Sequence, residues 1–406
     1  MCPSMFGLHK LTSYFTFAAL VLSQLVSARP SSYAEWAAAS AIARGQGNGL
    51  DSSGKPLVSY EHGELQWGLR LLYERTGNKT YYDYIKAGVD NIVNSDGTVG
   101  GGYSATQFQL DPLRVGPTFI YLYQQTKQAK YKKAADQFRN QLHTHSRTAQ
   151  GQFWHKKIYP NQGWLDGIYM GDIFYADYTK AFQATNQTAW DDITLQFTLM
   201  YNNTIQNAAT PNHTFSGLLY HGYDYSHTTV WASPDRGHSP EIWDRALGWY
   251  FMALVDILDI IPTSHPGHNI FLTQLRTLAP RLVAAADPQS GVWWLVLTQP
   301  GRAGNYFESS GAAMYVYALL KGVRVGYISD PDGKIVTAAK KAYQYMVNNW
   351  VVDNGDGTFD WKNTVQVGSL NTDGSYEYYV GVPTDVNDLK GLAAFLLASI
   401  EFEQLK

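Results

Sequence analysis

Asp166 stands in the run Gln162-Gly163-Trp164-Leu165-Asp166-Gly167-Ile168-Tyr169-Met170-Gly171-Asp172, two residues after an indole and one before a glycine. An apolar and aromatic run, Ile168 to Tyr178, follows at once and predicts a helix. A carboxyl at a helix mouth beside an indole suits acid chemistry on sugars: the ring of Trp164 supports a sugar face, and partial desolvation raises the acid's pKa. The same position also suits a plain N-cap. A second acid, Asp111, opens another apolar run in Gln109-Leu110-Asp111-Pro112. Its competing role is an N-cap before a proline at the first helical position. Paired carboxylates are the usual equipment for acid/base work on sugars.

Positive partners lie elsewhere in the chain. Trp243-Asp244-Arg245 precedes a further apolar run, His155 and Lys156 follow Phe153-Trp154, and His221 lies in a long aromatic stretch. Arg245 suits a two-pronged hydrogen bond to a substrate carboxylate, and equally a structural pairing with Asp244 or Glu241. Other chemistries lack their residues. The 11 histidines form no His-Glu-x-x-His pattern, and the single cysteine, Cys2, excludes a thiolate metal site and a disulfide framework. Asp353-Asn354-Gly355-Asp356-Gly357 reads as a turn rather than a calcium loop. No Gly-x-Ser-x-Gly elbow is present, and Gly100-Gly101-Gly102 lacks the Lys-Ser/Thr of a phosphate loop. Neither a metal nor a cofactor is expected.

The elements that must position these groups show an internal repeat. Tyr73, Thr76 and Tyr81 recur in spacing as Tyr123, Thr126 and Tyr131, and again as Phe182, Thr185 and Trp190. Each instance ends one apolar run and opens another, so the unit reads as helix, polar turn, helix. First helices are expected from near Gly63, Pro112, Gly167, Gly248, Gly311 and Lys390. Second helices are expected at 81–93, 131–142, 190–201, 271–286 and 335–350. Six hairpins predict an all-α fold closed into a double ring, since an open solenoid would expose two apolar ends. With no Pro- or Ser-rich linker, residues 29–406 read as one domain. If the ring closes, Asp111 and Asp166 share one mouth although they lie 55 residues apart. The long stretches 97–109, 210–241 and 352–383 are expected to wall that mouth, the last with a small β-hairpin.

Lys10, the apolar stretch Tyr14 to Val26 and the small residues Val26-Ser27-Ala28 predict a secretory leader over 1–28, too short to span a membrane. Sequons at Asn78, Asn186, Asn202 and Asn212 agree with a secreted, extracellular glycoprotein and predict surface loops there. About 380 residues then remain, enough for a sizeable core. A net charge of -3 with 16% charged residues argues against a nucleic-acid partner, and no membrane partner is expected. Aromatics at 14%, with 29 Tyr and 12 Trp, mildly favour a carbohydrate.

Four motifs resemble the unsaturated rhamnogalacturonyl hydrolases, glycoside hydrolase family 105, and the related unsaturated glucuronyl hydrolases of family 88. They are Gly151-Gln152-Phe153-Trp154-His155-Lys156, Trp164-Leu165-Asp166-Gly167-Ile168-Tyr169-Met170, Trp243 to Trp249, and Tyr306-Phe307-Glu308-Ser309-Ser310-Gly311-Ala312-Ala313-Met314. The resemblance runs from about Tyr33 to the C-terminus and implies an (α/α)6 barrel. It implies a substrate oligosaccharide whose terminal uronic acid carries a C4=C5 double bond left by a lyase. That vinyl ether would be hydrated. Asp166 would protonate C4 and help activate the water that adds at C5. Asp111 would position sugar hydroxyls and keep Asp166 protonated by like-charge repulsion. His221, Trp243, Arg245 and His155 match substrate-contacting positions, with Arg245 for the uronate carboxylate. The chain departs from the family's Trp-Ala-Arg-Gly-Asn-Gly-Trp at Asp244, Ala246 and Leu247. The missing amide implies one fewer hydrogen bond to substrate, and leaves rhamnogalacturonan and glucuronyl substrates both open. Two further functions use the same residues: an inverting glycosidase, whose acids stand roughly 6.5–9.5 Å apart, and a non-catalytic carbohydrate-binding ring.

Overall fold

The structure is a computed structural model that describes Met1, residues 32–210 and residues 213–405. Met1 aside, the leader lies outside the described residues, as does Asn212 of the fourth sequon. Twelve helices of ten residues or more occur among the described residues. They are α1 (Tyr33–Ala43), α2 (Tyr60–Thr76), α3 (Lys79–Asp90), α4 (Gly116–Thr126), α5 (Ala129–Thr144), α6 (Ile173–Phe182), α7 (Gln187–Thr204), α8 (Asp244–Ile257), α9 (Pro266–Ala285), α10 (Ser309–Arg324), α11 (Lys334–Trp350) and α12 (Leu389–Phe402). The even-numbered helices pack each against the next, and α12 returns to α2, closing an inner ring. The odd-numbered helices lie outside it. This is the (α/α)6 barrel.

Composition sorts the two rings. Every residue of α8 is buried, as a helix that is apolar nearly all round requires. Outer helix α11 buries one stripe instead, Ala339, Ala342, Tyr343, Met346 and Trp350, at helical spacing. The sixth outer helix, unassigned in the sequence, is α1. It precedes the first inner helix and packs on the last, with Glu403 accepting bonds from the Ser32 hydroxyl and the Ala34 N–H. The last hairpin is therefore split between the two ends of the ring.

The repeated turn has a physical basis in two of its three copies. Thr76 donates to Leu72 O and Thr126 to Leu122 O, both at 2.7 Å. Their hydroxyls then accept from Asn78 N and Gln128 N, while Gly77 and Lys127 take left-handed conformations. In the third copy Gln183 caps α6 instead. The expected hairpin forms from Val351–Asp353 and Phe359–Trp361. Asn78 and Asn186 are exposed helix N-caps, but Asn202 lies within α7 rather than in a loop. No described helix is long and apolar enough to cross a membrane.

A buried ionic network crosses the inner ring. Arg114, three residues after Asp111, donates to Glu64 at 2.9 Å and to the Tyr169 hydroxyl at 2.9 Å. Tyr169, three residues after Asp166, lies 3.3 Å from both Glu64 and Asp256, so its one proton is shared between two carboxylates. Asp256 also accepts from Tyr317 and Lys321. Side chains of α2, α8 and α10 are thus tied to the turns that carry both candidate acids. Glu64 and Arg114 are almost fully buried, so removing one strands the other's charge. An Arg114→Met variant is expected to lose about 3–5 kcal/mol in urea denaturation, and adding Glu64→Leu should restore part of it. A loss below about 1 kcal/mol would show that the network does not carry the ring.

Candidate active site

Asp166 is not the N-cap. That position belongs to Trp164, which has an extended backbone and makes no side-chain capping bond. Asp166 lies one residue inside the first turn, Leu165–Gly167, which continues through a π-helical turn, Ile168–Asp172, into α6. Its carboxyl is therefore free for other partners, close to the positive end of the helix dipole. Asp111 likewise opens a 3-10 turn, Asp111–Val115, whose N-cap is Leu110. Neither acid is spent on capping.

The turns meet because two residues on the Asp166 side lack side chains. A Cβ at Gly167 would lie 2.8 Å from Leu110 Cδ1 and 3.2 Å from His155 Nδ1. One at Gly171 would lie 2.9 Å from Leu110 Cδ2. Leu110 can therefore sit against the start of the Asp166 helix, and Asp111 follows it into the mouth. A two-stranded ladder, Gln162–Trp164 with Gly222–Asp224, brings in His221, whose carbonyl accepts from Leu165 N. His155 Nε2 lies 3.4 Å from Asp111, and a Cβ at Gly167, next to Asp166, would lie 3.2 Å from His155 Nδ1, so the turns of the two acids border the same imidazole.

Each acid has its own basic neighbour. Asp111 pairs with Lys156 Nζ at 2.7 Å and approaches His155 Nε2 at 3.4 Å. Asp166 Oδ2 lies 3.2 Å from His221 Nε2, close but out of line for a full hydrogen bond. Burial alone would raise the Asp166 carboxyl, but His221 and then His155 outweigh it and hold the group below the ordinary aspartate value. This corrects the expectation of a raised pKa. Like-charge repulsion from Asp111 is not among its leading causes. Burial pushes His155 down to about 4, so this imidazole is neutral at neutral pH. Burial would also lower Lys156, but Asp111 reverses the direction and keeps it charged.

Two aromatic expectations change as well. Trp164 lies between His155 at 4.5 Å and Tyr159 at 4.8 Å, both stacked, so neither indole face is open to a sugar. Trp243 is buried against His221, Tyr379 and the Arg245 guanidinium. Arg245 itself is only 1% exposed. It donates to Val365 O and Gln366 O at 2.5 Å each and lies 3.9 Å from Glu308. Its donors are committed to protein, which corrects its assignment to a substrate carboxylate. The structural pairing is with Glu308 and these carbonyls rather than with Asp244 or Glu241. Asp244 is fully buried, and burial followed by Glu308 pushes its carboxyl well up. Ala246 and Leu247 are buried too, so none of the three altered residues of the motif is open to substrate.

Sequence reasoning missed Tyr60 and Tyr379. The electrostatic neighbours of the Tyr60 phenol include Glu61, Arg245 and Asp111, at the start of α2. The Tyr379 hydroxyl lies 2.6 Å from His221 Nδ1. Its only signal was the aromatic density of 376–379. The larger open cavities do not coincide with the acids. One of about 630 Å³ is lined by Trp231, Glu241 and Arg302, and one of about 930 Å³ by Glu61, Asp388 and Lys390. The acids are the better guide to chemistry, since size alone places no reactive group. Among the described residues, no group of three or more His, Cys, Asp or Glu could hold a metal ion.

The family profile described as Glycosyl Hydrolase Family 88 matches residues 37–406. A glycoside hydrolase from family 105 of Clostridium acetobutylicum ATCC 824 is 39% identical, with a TM-score of 0.84 over 92% of this chain and 100% of its own. The unsaturated rhamnogalacturonyl hydrolase YesR of Bacillus subtilis is 25% identical over 261 residues, 63% of this chain and 67% of its own. The unsaturated glucuronyl hydrolase of Streptococcus agalactiae, 14% identical with a TM-score of 0.64 over 91% of this chain and 92% of its own, shares the fold.

If His221 is what depresses Asp166, removing the imidazole leaves burial dominant. In His221→Ala, the Asp166 carboxyl followed by ¹³C NMR is expected to titrate at higher pH than in the wild type. An unchanged or lower titration point would contradict this cause.

Proposed function

The chain belongs to the glycoside hydrolases of families 88 and 105, and from that premise we propose that it hydrates the C4=C5 vinyl ether of a terminal unsaturated uronic acid on lyase-generated oligosaccharides. The observation that supports this reading most is that the turns of Asp111 and Asp166 border the same imidazole, His155, with neither acid spent on capping. Asp166 in its acid form gives its proton to C4, and the π pair becomes the new C4–H bond. The cation left at C5 is stabilised by the ring oxygen. Water adds at C5 and returns a proton to the Asp166 carboxylate. The C5 hemiketal opens to a ketone, and the hemiacetal left at C1 collapses to release the alcohol. Asp111, held by Lys156, accepts from sugar hydroxyls. With Arg245 committed elsewhere, the partly exposed Lys156 beside Asp111 is the cation assigned here to the uronate carboxylate. The leader and the sequons support secretion and glycosylation at Asn78, Asn186, Asn202 and Asn212. Substrates of rhamnogalacturonan and glucuronyl type both satisfy this chemistry.

The sign of the pH dependence follows from Asp166. The acid form is required, and the carboxyl lies below its ordinary value in the free enzyme, so kcat/KM should rise as pH falls through the acidic range. Activity peaking well above neutral pH would contradict the acid role. Asp166→Asn should lower turnover of an unsaturated disaccharide by about 10²–10⁴-fold or more, read as loss of the double bond's ultraviolet absorbance, with an unchanged circular dichroism spectrum. Normal turnover in that variant would overturn the assignment. Sugar release by the wild type without loss of absorbance would favour the inverting glycosidase, and binding without release the carbohydrate-binding ring.

A further inference from the structure

Tyr379 reaches His221 from the far end of the chain. It lies on a short helix, Tyr376–Gly381, capped by Ser375, whose hydroxyl accepts from Tyr378 N. The strap leading to that helix is anchored at several points. Arg245 holds the carbonyls of Val365 and Gln366, and Gly368 lies so close over Trp243 that a Cβ would come within 2.9 Å of the indole. Trp231 donates to Leu370 O, and the Tyr378 hydroxyl accepts from Ser369 N. Tyr379 then stacks on Trp243 at 5.8 Å, and its hydroxyl lies 2.6 Å from His221 Nδ1. Arg245 and Trp243 thus act on the site through the strap that delivers this tyrosine.

The partners decide the direction of the hydrogen bonds. A neutral imidazole has one N–H and one lone pair, and an ionised carboxylate only accepts. His221 Nε2 lies 3.2 Å from Asp166 Oδ2, out of line for a full hydrogen bond, yet beside an ionised carboxylate an N–H on Nε2 is favoured over a lone pair. Nδ1 must then accept, and the group beside it is a phenol, which can donate. Trp164 and Trp243, 5.3 and 4.9 Å from the imidazole, restrict its rotation. The charged and titratable groups around the pair are Asp166, His155, Tyr378, Glu241 and Asp373, with Asp111 and Lys156 beyond His155.

We propose that Tyr379 is a positioning residue whose hydroxyl donates to His221 Nδ1, fixes the tautomer protonated at Nε2, and so keeps an N–H rather than a lone pair beside Asp166. Its catalytic consequence rests on the hydration reading above; its geometry does not. During turnover the fixed imidazole stays beside one carboxyl oxygen of Asp166, leaving the other to exchange a proton with C4 and with water.

The test pairs ¹⁵N NMR of histidine-labelled protein with kinetics. His221 is assigned by its disappearance in His221→Gln. At neutral pH the wild type should show Nδ1 unprotonated and Nε2 protonated, and Tyr379→Phe, which keeps the ring on Trp243, should show a mixture of tautomers. On an unsaturated disaccharide, Tyr379→Phe should lose about 10- to 100-fold in kcat, with KM within about threefold of the wild type. A merely structural role would not produce that split together with a tautomer change. A wild-type His221 protonated at Nδ1 would overturn the proposal, as would Tyr379→Phe with wild-type tautomer and kcat. A wild type inactive on the unsaturated sugar would instead overturn the hydration reading, while the tautomer would still decide the role of Tyr379.

Discussion

The site depends on one buried interaction, the bond from Arg114 to Tyr169 beneath the two acids. Each partner stands three residues after an acid, so fixing Arg114 and Tyr169 to each other fixes the turns of Asp111 and Asp166. Glu64 and Asp256 compensate the charge from neighbouring inner helices. A buried ion network is a poor source of stability compared with apolar packing. Its value here is specificity, since an apolar core could slide whereas these bonds form in one register. The π-helical turn and the bare faces of Gly167 and Gly171 serve the same end, bringing the turns close without steric conflict.

Above that floor the charges are arranged in pairs rather than as two repelling acids. Lys156 sits on Asp111 and His221 on Asp166. The pairing gives the two acids different surroundings: one beside an ammonium, the other beside an imidazole. Burial and the neighbouring His221 oppose each other at Asp166, with the imidazole prevailing. That makes one imidazole a control on the site, and the C-terminal strap its anchor.

Much of this was legible in the sequence. Five of six outer helices and all six inner ones fell where the sequence placed them, because inner helices such as α8 and α12 are mostly apolar and outer ones such as α11 carry an apolar stripe at helical spacing. Asp166, Asp111, His155 and His221 were readable because reactive types stand at helix starts or in aromatic loops. What failed was orientation. Sequence spacing put Arg245 and Trp243 at the same mouth, correctly, but could not show that the arginine turns toward the carbonyls of Val365 and Gln366. Trp164 stood beside the acid, yet His155 and Tyr159 cover both its faces. Tyr379 was hidden in a stretch readable only as aromatic, because its partner lies 158 residues away.

The central claim is that a proton is delivered to carbon rather than to the glycosidic oxygen. It is tested most directly by following the C4 vinyl proton of an unsaturated disaccharide by ¹H NMR during turnover in D₂O. The account predicts that this signal disappears as the leaving sugar appears, with one deuteron first entering C4 on a single face. Release of the sugar while the vinyl signal persists at early times would contradict it.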